Sequence, residues 1–303
     1  MDDSTPLLAR PFKLRSVGYL ADERLPRAAS LSITGVISGG AFILADARDV
    51  YFVSFAPFRS PSTLNLDAPV AGFERLAVGD PVTCAPGELT LSTIRLRLDW
   101  STEGVWRSPP PVAEPAAPAV RQEALRRLGR GVLAYKEGDQ GFTPLLGVLL
   151  DGARPSTMPD EIQPVAVGLG ALRAALAASD PQGAAGILER WLGLGRGLTP
   201  AGDDLAAGVL LALHRYPQVI LPGFPRADLA QRLTQAARQK TTRLSANIIE
   251  QACQAAGDER ILAALDGVMA GAADLSASIE QICRLGHSSG ADTLVGMTLA
   301  SLD

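Results

Sequence analysis

Several residue types are scarce in this chain, and each scarcity narrows what it can be. Cysteine occurs three times, at Cys84, Cys253 and Cys283, widely spaced and without a C-x-x-C pair. Such a set excludes a disulfide framework and a cysteine-based zinc site and reads as three small buried hydrophobes. Lysine also occurs only three times among 28 basic residues, at Lys13, Lys136 and Lys240. With a net charge of −4 and no basic cluster interleaved with aromatics, nucleic-acid binding is not expected. No uncharged apolar run approaches the roughly 18 residues of a membrane span. The longest runs, Leu145 to Leu150 and Leu205 to Leu213, are core-sized. Met1-Asp2-Asp3-Ser4 has neither a basic n-region nor an apolar h-region, so the expected location is cytoplasmic and no membrane is involved.

What is present is aliphatic and helix-prone. The 303 residues are 47% hydrophobic but only 5% aromatic, enough for a sizeable core and long enough to expect two domains. The expected fold class is α+β, a small N-terminal β-barrel or β-sandwich domain followed by an all-α helical bundle. Residues 1–106 form the β-rich part, with a hairpin at Leu31 to Ala45, a strand at Val50 to Phe55 and an alternating strand at Leu89 to Leu98. Arg95, Arg97 and Asp99 fall on the polar face of that last strand. Residues 107–119 include S-P-P-P-V-A-E-P-A-A-P, which disfavours helix and sheet and reads as a linker. Residues 120–303 carry helical periodicity rich in alanine and leucine, with no strand run between.

The stretch G-L-G-R-G-L-T-P-A-G-D-D-L-A-A-G, from Gly193 to Gly208, concentrates the unusual features. Gly193, Gly195 and Gly197 make the backbone permissive before a helix start, with Thr199 as N-cap, Pro200 at the first helical position and acids in the first turn. Gly202 in that turn costs about 1 kcal/mol against alanine, and adjacent Asp203 and Asp204 repel each other. Successive side chains on a helix point about 100° apart, so one acid is expected to bind while the other caps or braces. A well-capped core helix with two solvated acids is the plainer account of the same residues.

A second motif, G-H-S-S-G-A-D-T-L from Gly286 to Leu294, places its aspartate, Asp292, 89 residues after Asp203. Gly197 and Gly286, Asp203 and Asp292, and Leu205 and Leu294 match when the two are aligned, with Thr199 against Ser288. If both helix mouths converge, free amides, hydroxyls and carboxylates face one cavity and can hold an anion or a metal-bound anion. His287, in a Gly/Ser loop, is a candidate acid or polarising group. Thr241, Thr242 and Ser245 open another helix and are candidate lining hydroxyls. His214, at a helix C-terminus where the dipole favours a cation, reads as structural. Gly141-Phe142-Thr143-Pro144 echoes the first motif without an acid and reads as a plain helix start. A Rossmann loop does not fit, because the glycines follow a helix and not a strand.

The blocks G-L-T-P-A-G-D-D-L-A-A-G, T-T-R-L-S and G-H-S-S-G-A-D-T-L-V-G, in this order, resemble the AllH-type family of oxamate carbamoyltransferase subunits, long catalogued as a domain of unknown function. Ala201 and Ala206 stand where the family pattern suggests serine and a bulkier apolar residue. The resemblance implies a role in allantoin use, in which oxalurate and phosphate give oxamate and carbamoyl phosphate within a complex containing larger FdrA-type partners. On that reading Gly197, Thr199, Gly202 and the first-turn amides bind an anionic group of a small substrate, and Ser288, Ser289 and His287 face the carbonyl. Asp203, Asp204 and Asp292 orient a carbamoyl nitrogen or hold Mg²⁺, the one possible cofactor. Two alternatives use the same residues: a Mg-dependent hydrolase resembling ADP-ribosyl hydrolases, and a non-catalytic ligand-binding or scaffold subunit.

Overall fold

The computed structural model describes residues 9–135, 141–152 and 159–302; the readings of Met1-Asp2-Asp3-Ser4 and of Lys136 lie outside them. Contacts divide the chain into two units, Met1–Ser108 and Pro109–Asp303. N-terminal sheets followed by helices make the chain α+β.

The first unit holds strands β1 (Arg10–Lys13), β2 (Ser16–Gly18), β3 (Leu31–Ile37), β4 (Gly40–Ala45), β5 (Asp49–Ser54), β6 (Thr63–Asn65), β7 (Val82–Ala85), β8 (Glu88–Leu91), β9 (Leu96–Asp99) and β10 (Val105–Trp106), with helix α1 (Tyr19–Arg24) after β2. They form a sheet of order β1-β9-β8-β7 and a sheet of order β10-β2-β6-β5-β4-β3. Neither order closes on itself, and Val17, Ile43, Val53, Leu64, Leu89 and Leu98 from both sheets belong to one apolar core. The expected hairpin is β3-β4, paired from Leu31↔Ala45 to Ile37↔Gly40 with a register shift between Ile33 and Gly35. The expected single strand from Leu89 to Leu98 is instead two, β8 and β9, antiparallel to each other. The break is a tight turn at Ser92–Ile94 followed by Arg95 at φ 51°, so Arg95 leaves the face that Arg97 and Asp99 share.

The regular elements of the second unit's described residues are all helices: α2 (Pro118–Tyr135), α3 (Pro144–Asp151), α4 (Gln163–Ala177), α5 (Pro181–Trp191), α6 (Ala201–Arg215), α7 (Arg226–Lys240), α8 (Arg243–Ala252), α9 (Glu259–Met269), α10 (Ser276–Cys283) and α11 (Ser289–Ser301). None of the described helices is long and apolar enough to cross a membrane. Two helices make the centre. Every residue of α6 from Ala201 to Leu213 and every residue of α11 from Gly290 to Ala300 is buried. Burial on all faces marks a helix wrapped by others.

The proline-rich segment before α2 is extended but tethered. Arg215, with its side chain 1% exposed, pairs with Asp266 at 2.6 Å and also donates to the carbonyls of Pro109 and Pro110. Tyr216 donates to Asp266 at 2.6 Å and accepts the Val112 amide at 3.0 Å, while the Ala116 amide bonds Met269 O at 2.8 Å.

Candidate functional site

The site begins with how closely α6 and α11 approach. A Cβ on Gly208 would overlap the Thr293 carbonyl, and one on Gly296 would overlap the Leu205 carbonyl. Both helices are bare of side chains where they cross, so backbone lies on backbone. Their N-terminal ends then come together, with Thr199 Oγ1 2.9 Å from Ser289 Oγ. The two motifs, 89 residues apart in sequence, thus share one mouth.

The entry to α6 differs in detail from its expected form. Pro200, extended at ψ 143°, occupies the N-cap, and Ala201 is the first helical residue. Thr199 is thereby freed from capping, and its hydroxyl meets Ser289. Gly202 has a packing reason: its amide donates to Leu194 O at 2.9 Å, and a Cβ would overlap the Trp191 carbonyl. The loop before it turns through Gly193, Gly195 and Gly197 at φ 79°, 107° and 102°, a region open to glycine at no steric cost.

Three carboxyls are buried at this mouth: Asp203 is 1% exposed, Asp204 4% and Asp292 0%. The two on α6 diverge as the helix requires. Asp203 points back to the glycine loop, accepting the Gly193 amide at 2.8 Å and the Thr241 hydroxyl. Burial pushes its carboxyl above the ordinary range, while the bonds from Thr241, Gly193 and Ser245 pull it down. Asp204 turns toward α11. Burial, and after it the nearby charge of Asp292, raises its carboxyl well above the usual 3.8, against the hydroxyls of Ser289 and Thr199. No arginine or lysine is among the groups that act on Asp203 or Asp204. Asp204 Oδ2 is fully buried and has no hydrogen-bond partner. A buried carboxyl oxygen left in this state costs about 1–3 kcal/mol.

A third helix start joins the mouth, contrary to the plain reading of Gly141-Phe142-Thr143-Pro144. The Phe142 amide donates to Asp292 Oδ1 at 2.6 Å. Gly141 sits at φ 55°, where a Cβ would lie 2.6 Å from both Asp292 Oδ2 and Ser288 Oγ, so no side chain fits. Sequence reasoning passed over this loop because it carries no acid; its contribution is an amide and an absence of bulk. The available signal was its kinship with Gly197-Leu198-Thr199-Pro200.

The other candidate residues divide. Ser245 is buried, and its hydroxyl is one of the groups acting on Asp203. Thr242 caps α8 through the Ser245 amide at 3.1 Å and donates to Leu198 O at 2.8 Å, tying α8 to the glycine loop. Ser288 is the half-buried N-cap residue of α11. Gly197 is exposed with open space around it, and His287 is exposed in the turn before α11. His214 is half-buried, and burial followed by the charge of Arg226 lowers its pKa.

The residues do not fit a magnesium site. Among the described residues no group of three His, Cys, Asp or Glu side chains is arranged to hold a metal ion. Both oxygens of Asp203 and one of Asp292 already accept hydrogen bonds, which leaves few carboxylate lone pairs for a hard cation. The arrangement is instead a cluster of three buried, acceptor-rich carboxyls beside three helix starts.

No solved structure matches this chain. Residues 191–301, which include α6, α8, α11 and all three buried acids, match the family model of AllH, described as oxamate carbamoyltransferase subunit AllH, in agreement with the family that the sequence resembles.

Proposed function

We propose that this chain is the AllH-type subunit of a carbamoyltransferase assembly, and that the shared mouth of α3, α6 and α11 holds the nitrogen-bearing end of a ureido or carbamoyl substrate. The observation that carries the reading is the orphan Oδ2 of Asp204, buried beside Asp292 and two hydroxyls. An amide or ureido group brings N–H donors to such oxygens, whereas phosphate or a free carboxylate brings more negative charge. The anion site expected from the sequence is thus moved: the acid floor takes the N–H end, and because the Gly202 amide is bonded to Leu194 O and the Phe142 amide to Asp292, the carboxylate or phosphate end is held by other groups.

In oxalurate phosphorolysis a phosphate oxygen bonds the ureido carbonyl carbon, the C–N bond to oxamate breaks, and the departing nitrogen gains a proton. On this reading Asp204, whose carboxyl burial and the charge of Asp292 shift toward its protonated form, supplies that proton. The family description as a subunit supports further chains in the assembly, and FdrA-type proteins are the partners we propose. The glycine loop at Gly193 to Leu198, exposed and joined to α8 through Thr242, is the part that yields to admit substrate.

Calorimetric titration of the chain and of the assembly with oxamate, oxalurate, carbamoyl phosphate and ADP-ribose tests this reading. Oxamate or oxalurate should bind and Asp204→Asn should remove that binding. Tight ADP-ribose binding instead, or turnover in the assembly unchanged by Asp204→Asn, rules it out.

A further inference from the structure

At the far end of α11 from the acids lies a cavity of about 290 Å³, built within the helical unit by α2, α4, α9, the C-terminal turn of α11 and the turn after α6. That is about twice the volume of an apolar cavity known to accept benzene, so a ligand of about a dozen heavy atoms fits. Its walls are of two kinds. Leu125, Leu176, Ile220, Val268, Met269 and Leu299 make one side apolar. Arg121 and Arg173 line it as well, and neither meets a carboxylate among the described residues. Arg121 donates to Ala116 O, and Arg173 to Leu302 O at 3.4 Å, which leaves most of their ten N–H donors unspent.

Two further polar atoms on this lining are orphans. Gln122 spends its amide nitrogen on Ser301 O at 2.7 Å, and its Oε1 is buried with no partner. Ser301 Oγ is likewise buried without one. Buried side-chain oxygens are nearly always satisfied, so two orphans on one cavity, next to two guanidinium groups that meet no carboxylate among the described residues, point to a bound polar group. Leu221, on the same lining, is held at φ 46°, a conformation that leucine adopts only when its surroundings impose it.

We infer that this cavity is a second binding site, separate from the acid cluster, for a small carboxylic acid with an apolar body and a hydroxyl or amide donor beside the carboxylate. The carboxylate is paired by Arg121 and Arg173, for which the planar guanidinium is suited. The adjacent donor satisfies Gln122 Oε1, and Ser301 Oγ bonds the same polar end. The apolar body lies against Leu176 and Met269. Nothing in this assignment depends on carbamoyl chemistry.

The test is calorimetric titration of the full chain with 3-phenyllactate, which carries carboxylate, hydroxyl and ring within the allowed size. Lactate lacks the apolar body, and 3-phenylpropane-1,2-diol lacks the carboxylate. Saturable phenyllactate binding is expected, weakened by about ten- to hundred-fold in the diol and in Arg173→Ala, the effect of losing a charge-assisted contact. Lactate should bind at least ten-fold more weakly. Ala177→Phe fills the cavity from an exposed position and leaves the cations in place, so it should abolish binding while circular dichroism shows an intact fold. The assignment is overturned if phenyllactate does not saturate, if binding survives both variants in folded protein, or if Asp204→Asn and not Ala177→Phe removes it.

Discussion

Asp203 and Asp204 are neighbours with opposite duties, and substitution should separate them by sign. Asp203 is a brace whose oxygens are spent on Gly193 and Thr241, so Asp203→Asn loses a good acceptor and should lower unfolding stability by about 1–2 kcal/mol. Asp204 is strained by its surroundings. An acid whose folded-state pKa lies above its ordinary value binds its proton more tightly folded than unfolded. Its contribution to stability is complete below about pH 3.8 and is lost as pH rises through the folded-state value. Asp204→Asn removes that burden, so urea unfolding should show the variant more stable than the parent, by a larger margin at pH 8 than at pH 5. Substrate binding should fall at least ten-fold in the same variant. A variant that loses stability with rising pH as steeply as the parent would assign the burden to another group. The residue types of this site were readable in the sequence as two motifs with matched acids. Their division of labour was not, because which acid faces α11 depends on Pro200, and not Thr199, ending the approach to the helix. Nor was the Phe142 amide, since backbone donors leave no mark on a residue pattern.

At the scale of elements, α6 and α11 meet through glycine. Gly296→Ala would place a methyl group in the Leu205 carbonyl, and because backbone cannot step aside the two helices must part, at a cost of about 1–3 kcal/mol. Gly170 on α4 has open space where its Cβ would go, so Gly170→Ala should stabilise by up to about 1 kcal/mol through helix propensity. Urea midpoints moving in opposite directions would confirm the distinction; a loss at both would mean that helix packing tolerates no added bulk. Helices such as α9 are legible as helices because their apolar period and caps are local. The strands were less so. β1, β2, β6 and β10 have two to four residues each, too few to show alternation, and β1 pairs in parallel with β9, a partner more than eighty residues away. Arg95 in the left-handed region splits what reads as one strand, and a non-glycine residue gives no warning of that turn.

For the molecule as a whole, the segment from Pro109 to Ala117 is more than a spacer. Its composition announces extended chain, yet Arg215 and Tyr216 bind its carbonyls and one of its amides. Replacing Arg215 by methionine leaves Asp266 without its cation and should cost about 3–5 kcal/mol, as removal of one partner from a buried pair does. Limited proteolysis should then cut between residues 109 and 117 faster than in the parent. Equal cutting rates would show that the tether does not restrain the segment.

The shared mouth of α6 and α11 also sets a schedule for biosynthesis. When the ribosome has delivered α6, its two acids are already in the chain, but Asp292, Ser289 and the glycine face that fits against Gly208 have yet to emerge. Until α11 docks, the innermost surface of the helical unit stays open to water and to other nascent chains. A chain that stops before residue 289 therefore lacks one of the two central helices and one of the three buried acids. It yields a helical shell missing its axis, a substrate for chaperones and proteases.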